Sequence, residues 1–121
     1  TSSASLDTLS GAKLMKEQTR AENKAALMQI INSTNIADDQ KQVALNSIVG
    51  LTETAEKEMS AEILLEARGF EDAVVSITGD TVDVVVSSAD LSDSQRAQIE
   101  DIVMRKTGTP IENIVISTTL N

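Results

Sequence analysis

Histidine, cysteine, tryptophan and tyrosine are absent from the 121 residues, and phenylalanine occurs once, as Phe70. Without the first two there is no imidazole acid–base chemistry, no thiol nucleophile, no disulfide and no ordinary zinc or iron–sulfur ligand set. A chain without cysteine also accords with an extracytoplasmic location. The near-absence of aromatics leaves no platform on which bases could stack. Ten basic residues face 19 acidic ones, a net charge of −9, which disfavours binding to phosphate backbones. No run of ~18 apolar residues is present, so no segment reads as membrane-spanning. The opening, TSSASLDTLSG, has the form of neither a signal peptide nor a methionine start, and suggests a piece of a longer protein.

Hydrophobic residues make up 40%, enough for a core that must be aliphatic. The length suits one domain, or one small domain with an appendage. Charge is uneven: residues 1–33 sum to +1, residues 34–69 to −4 and residues 70–121 to −6.

Residues 1–6 are small and polar and are expected to be disordered. Residues 7–33, rich in Ala, Lys, Glu, Gln and Leu, predict a helix. Its middle, KEQTRAENK, holds Ala21 as its one apolar residue. A helix of ~26 residues is ~39 Å long. A domain of residues 53–121 would be under ~30 Å across. Part of this helix should therefore project as a spacer or pack on another chain. The stretch NSTNIADD breaks it, with Asp38 or Asp39 as N-cap of a second helix over residues 39–68. There Leu51, Ala55, Met59, Ile63 and Ala67 form an i+4 stripe, with Glu53, Glu56, Glu58, Glu62 and Glu66 on solvated faces. Gly50 is a candidate break, and Gly69 a C-terminal stop.

The period then changes to two. Residues 73–78 and 81–88 flank Gly79-Asp80, a pattern for a type II′ hairpin. The implied register sets Ile77 opposite Val82, Val75 opposite Val84 and Ala73 opposite Val86 on one face. Thr78 faces Thr81, Ser76 faces Asp83 and Val74 faces Val85 on the other. Ser92 and Gln95 form a capping box for a third helix, whose buried face is Ile99, Ile102, Val103 and the stem of Lys106. Gly108 and Pro110 end it. Residues 111–118 predict a last strand.

The fold class is thus α+β: an α-β-β-α-β unit with a three-stranded sheet, both helices on one face, preceded by a long N-terminal helix. The helical crossover makes the last two strands parallel. The Val-rich strand 81–88 favours the centre, order 1-2-3, with order 2-1-3 open. The division is residues 1–35, tail and projecting helix, and residues 36–121, the α-β-β-α-β domain with an extended first helix.

The chemistry-bearing patterns are decoys. Ser10 to Lys13 matches S-x-x-K, Ser92-Asp93-Ser94 echoes S-D-N, and Lys106-Thr107-Gly108 matches K-T-G, in the order used by penicillin-recognising serine enzymes. Here, however, K-T-G falls at a helix end rather than on a strand. Asp80, Asp83, Asp90 and Asp93 lack the spacing of a calcium loop and suit a turn and a helix entry. We expect no catalytic residues, no metal and no cofactor. A contact surface is the better reading: Val74, Ser76, Asp83, Val85, Asn113 and Val115 on the outer sheet face, and Leu14, Ala21 and Met28 on the first helix. Two exposed sheet edges strengthen it, because unblocked edges recruit strands.

E-A-R-G-F-x-D-A-V-V (66–75), T-G-D-T (78–81) and G-x-P-x-E-N-I (108–114), with KEQTRAENKAALMQIINSTNI before them, resemble the extracytoplasmic domain of the stage III sporulation protein AH family of endospore-forming bacteria. The likeness covers nearly the whole chain. It implies a ring-building motif, similar to basal-ring domains of type III secretion systems and flagella. It further implies a transmembrane anchor in the mother-cell membrane, absent here, and a location between mother cell and forespore. The implied partner is the LytM-like domain of stage II sporulation protein Q, within a channel or zipper joining the two cells. An RNA-binding module of KH layout is the rival, but no G-x-x-G loop with basic neighbours is present. A homomeric ring-forming structural protein of a secretion-like apparatus is the alternative.

Overall fold

The computed structural model describes residues 9–88 and 90–119. The expected disorder of residues 1–6 lies outside them. In chain order the elements are α1 (Leu9–Asn32), α2 (Asp38–Ala67), β1 (Val74–Thr78), β2 (Thr81–Ser87), α3 (Asp93–Thr107), a 3₁₀ turn (Ile111–Asn113) and β3 (Ile114–Thr119).

The three strands form one mixed sheet in the order β1-β2-β3. β1 and β2 are antiparallel, with Val74↔Val85, Val75↔Val84, Ser76↔Asp83, Ile77↔Val82 and Thr78↔Thr81. This is the register that the Gly79-Asp80 loop imposes. Gly79 has φ +59, and Asp72 is the one non-glycine with positive φ among the described residues, so Asp80 stays at negative φ as a type II′ turn requires. The Ala73–Val86 pair falls outside the ladder, although both residues are buried. β2 and β3 are parallel, with Val82↔Ile114 and Val84↔Ile116.

One face of the sheet carries the core. Val75, Val82 and Val84 are fully buried against Ala61 and Leu65 of α2 and Ile99 and Val103 of α3. Both helices thus roof the same side. α2 ends in a Schellman motif: Gly69 N–H donates to Glu66 O and Phe70 N–H to Leu65 O, with Gly69 at φ +97. Leu65 and Phe70, the two ends of the wider bond, both join the core cluster. α3 opens with the expected reciprocal capping box, Ser92 Oγ accepting from Gln95 N–H and Gln95 Oε1 from Ser92 N–H.

Several expectations are corrected. Ala37, not Asp38 or Asp39, is the N-cap of α2, and the two aspartates lie in its first turn, where they favour the positive helix end. The stripe read on α2 is misphased: Met59 is 53% and Ile63 60% exposed, while Ala61, Glu62 and Leu65 are buried. Steps of four residues advance about 40° beyond a full turn, so the four steps from Leu51 to Ala67 wander around the helix rather than holding one face. On α3, Thr107 is buried in place of the Lys106 stem. Its hydroxyl donates to Val103 O at 2.7 Å, so burial leaves no unpaired donor. Residues 111–113 form a 3₁₀ turn, because Pro110 precedes them and Asn113 N–H donates to Pro110 O.

α2 also runs unbroken through Gly50. A Cβ at this position would meet nothing within 4 Å, and its φ is not positive. The glycine therefore contributes only its backbone entropy cost. Gly50→Ala is expected to stabilise the protein by about 0.5–1 kcal/mol, read as a Tm higher by a few degrees in calorimetry with an unchanged circular dichroism spectrum.

Candidate functional site

A three-stranded sheet has two margins, and the backbone groups there decide what can join it. Both were expected to be open. The β1 margin is closed, by side chains from α2. Glu62 Oε2 accepts from Val75 N–H at 2.9 Å, and Glu58 Oε2 accepts from Ile77 N–H at 2.7 Å. The fit is one of spacing. Two residues along a strand cover about 6.8 Å and four along a helix about 6 Å, so carboxylates at i and i+4 can meet the outward N–H groups at j and j+2.

α1 completes the closure. Lys16 Nζ donates to Val75 O at 2.6 Å and lies 3.0 Å from Glu58 Oε1 and 3.4 Å from Glu62 Oε2. Two of its hydrogen bonds are made, to Val75 O and Glu62 Oε2, and the third contact, to Glu58 Oε1, is an ion pair. Lys13 Nζ stands 3.3 Å from Glu62 Oε1, and Arg20 Nη2 pairs with Glu58 Oε1. Glu58 Oε1 receives no well-directed hydrogen bond but is held between two cations. Two carboxylates with side chains 2% and 7% exposed thus face three cations. This corrects the reading of Glu58 and Glu62 as a solvated face. Carboxylates are rarely buried unless paired, and these two are paired with both a backbone and an opposing helix. It also explains the polar middle of α1. Lys13, Lys16 and Arg20 recur on one helical face, and that face meets α2. The sequence carried a usable signal: residues 1–33 are the one net-positive segment of an acidic chain.

The opposite margin, β3, differs. Among the described residues no side chain or further strand donates to or accepts from its outward backbone groups. Val115 is 49% exposed beside it, and Ile111 in the preceding turn 44%. Asp83 and Ser117 are exposed, and Ser76, Val85 and Asn113 are partly so. Asn113 belongs to the 3₁₀ turn rather than the strand. Val74 corrects an expectation: the alternation puts it on the outer face, yet it is 7% exposed and offers little to a partner.

The three candidates on α1 share a flank. Leu14, Ala21 and Met28 are spaced by seven residues, and all are exposed. Ala21 borders a shallow groove with Leu51, Ala55 and Met59 of α2. On the other side of the helical pair, Ala26 and Leu27 line a second groove with Gly50 and Leu51. Among the described residues no helix is long and apolar enough to cross a membrane.

Comparison with known proteins gives a consistent result. A family model described as SpoIIIAH-like protein matches residues 1–116. Stage III sporulation protein AH of Bacillus subtilis (strain 168) is 28% identical over 109 residues, 90% of this chain and 50% of that protein. The chain therefore spans about half the length of this curated relative. A chain in the structure of the SpoIIQ-SpoIIIAH pore forming complex superposes with a TM-score of 0.78 at 24% identity, covering 91% of this chain and 95% of that one. At that identity the likeness bears on the fold, and it matches the α+β architecture described above.

The ion cluster should be energetically heavy. Replacing Lys16, 19% exposed, by Met leaves two buried carboxylates short of a cation and Val75 O without its donor. Lys16→Met is expected to lower unfolding stability by about 2–4 kcal/mol, measured by urea denaturation. By contrast Arg105→Met, which breaks a pair more than half exposed on both sides, should change it by under ~0.5 kcal/mol.

Proposed function

The chain belongs to the SpoIIIAH-like family, and on that footing we propose that it is a non-enzymatic interaction module of a sporulation complex. It acts between the mother cell and the forespore, held at the mother-cell membrane by an anchor outside this sequence. Its partner is the LytM-like domain of stage II sporulation protein Q, and the pair contributes to a channel or zipper between the two cells. The family relative and the fold neighbour in a SpoIIQ-SpoIIIAH complex support this reading.

The observation that carries it is the asymmetry of the sheet. On β1 the outward N–H groups of Val75 and Ile77 and the carbonyl of Val75 are bonded, whereas among the described residues β3 pairs with β2 alone and presents Val115 at 49% exposure. An extended segment or sheet edge of the partner adds there, with main-chain hydrogen bonds supplying affinity and Val115, Asn113 and Ser117 supplying contact. Leu14, Ala21 and Met28 form a second, helical contact. Any assembly into a ring draws on that flank and on the outer sheet face around Ser76, Asp83 and Val85. A homomeric ring would bury the same residues without a second protein.

Val115→Asp places a charge on an exposed position, so the fold should tolerate it. The expected outcome is a loss of at least tenfold in affinity for the LytM-like domain by titration calorimetry, with Tm within about 2 °C of the parent. Unchanged affinity would move the contact away from β3. Deleting residues 1–33 is not an equivalent test, because it also removes Lys13, Lys16 and Arg20 from the β1 margin.

A further inference from the structure

Every copy of this chain carries a sheet with two ends. If both were open, β3 of one copy could add to β1 of the next. That contact is heterologous: it uses different surfaces on the two partners and so repeats without limit unless the rotation closes. Such growth is the usual hazard of exposed edges. The usual protections are missing here. β1 contains no proline, lysine or arginine, and its sequence Val-Val-Ser-Ile-Thr has strong strand propensity.

We infer that Glu58, Glu62 and Lys16 are an edge block that stands in for a fourth strand at β1 and prevents copies of this chain from growing head to tail by sheet continuation. The three side chains reproduce what an added strand would supply. Two acceptors meet the N–H groups of Val75 and Ile77, and one donor meets the carbonyl of Val75. Their chemistry differs from a strand in one respect. A neighbouring backbone brings a donor and an acceptor of its own at each step and can be followed by another strand, whereas a carboxylate accepts only and ends the ladder. The cations then neutralise the cost of burying that acceptor. Lys16 serves both carboxylates, Lys13 joins it at Glu62 and Arg20 at Glu58. The β1 margin thus has α1 and α2 against it, and β3 remains as the single margin that can accept an extended segment. The inference concerns which end of the sheet can grow, so it holds or fails independently of the partner's identity.

The test removes the acceptors. Glu58→Ala with Glu62→Ala frees the N–H groups of Val75 and Ile77. The double variant is expected to self-associate over a tenfold rise in concentration in sedimentation velocity, while the parent at the same concentrations does not form these species. Adding Val115→Lys and Ser117→Lys, which puts charge along β3, should hold the double variant at no more than a dimer, because growth beyond two copies needs both edges. A folded double variant that sediments as the parent does would overturn the inference, as would association beyond a dimer that the lysines on β3 leave intact. Should the double variant fail to fold cooperatively, hydrogen exchange on the unaltered protein decides. The amides of Val75 and Ile77 are then expected to exchange at least 100-fold more slowly than the fastest amides within β3. Equal rates would show that the margin is open.

Discussion

A carboxylate hydrogen-bonded to the free side of an edge strand organises most of this molecule. Glu62 and Glu58 tie β1 to α2, and because both are buried they require cations, which α1 provides. That requirement fixes the middle of α1 against the sheet margin, while apolar residues such as Leu27 and Leu51 line the grooves farther along the helical pair. The middle of α1 has almost no apolar surface to offer, and the contact it makes there is electrostatic. Burying ions costs several kcal/mol each unless geometry and hydrogen bonds compensate. For Lys16 the compensation comes from two carboxylates and a backbone carbonyl within 3.4 Å.

The structural outcome is a sheet with two unlike margins. Two helices cover one face, ionic side chains cover one margin, and the other margin stays available. On the proposed function, a partner that adds to the sheet does so at β3. The same arrangement limits open-ended growth, since with β1 blocked two identical copies can share at most one β3-to-β3 contact. Specificity of this kind comes from what a surface refuses as much as from what it accepts.

The hairpin was legible in the sequence because a two-residue loop with glycine first leaves one register, and the alternation of Val75, Ile77, Val82 and Val84 agrees with it. The caps of α3 and the end of α2 were equally readable, since Ser92, Gln95, Gly69 and Gly108 act through local bonds. What could not be read was tertiary. Glu58 and Glu62 look like any surface carboxylates until Val75 and Ile77 are placed beside them, a pairing 13 and 19 residues apart that no periodicity encodes. Val74 fails for a related reason: alternation assigns a face, and burial depends on what lies over it. The drift of the i+4 stripe on α2 is a simpler matter of helical geometry. Charge complementarity between α1 and α2 was the one long-range signal present, visible as a basic segment in an acidic chain.

α2 is 30 residues long, and its core residues Ala61 and Leu65 lie near its C-terminal end. From Glu58 back to Asp38 the helix runs about 30 Å, accompanied by α1 and little else. Mechanically this is a lever. A sideways push on the turn between the helices, at residues 33–37, acts on the clasp at Lys16 with an arm several times longer than any ion pair there. Any displacement of residues 33–37 is thus felt first at the ion pairs beside the sheet.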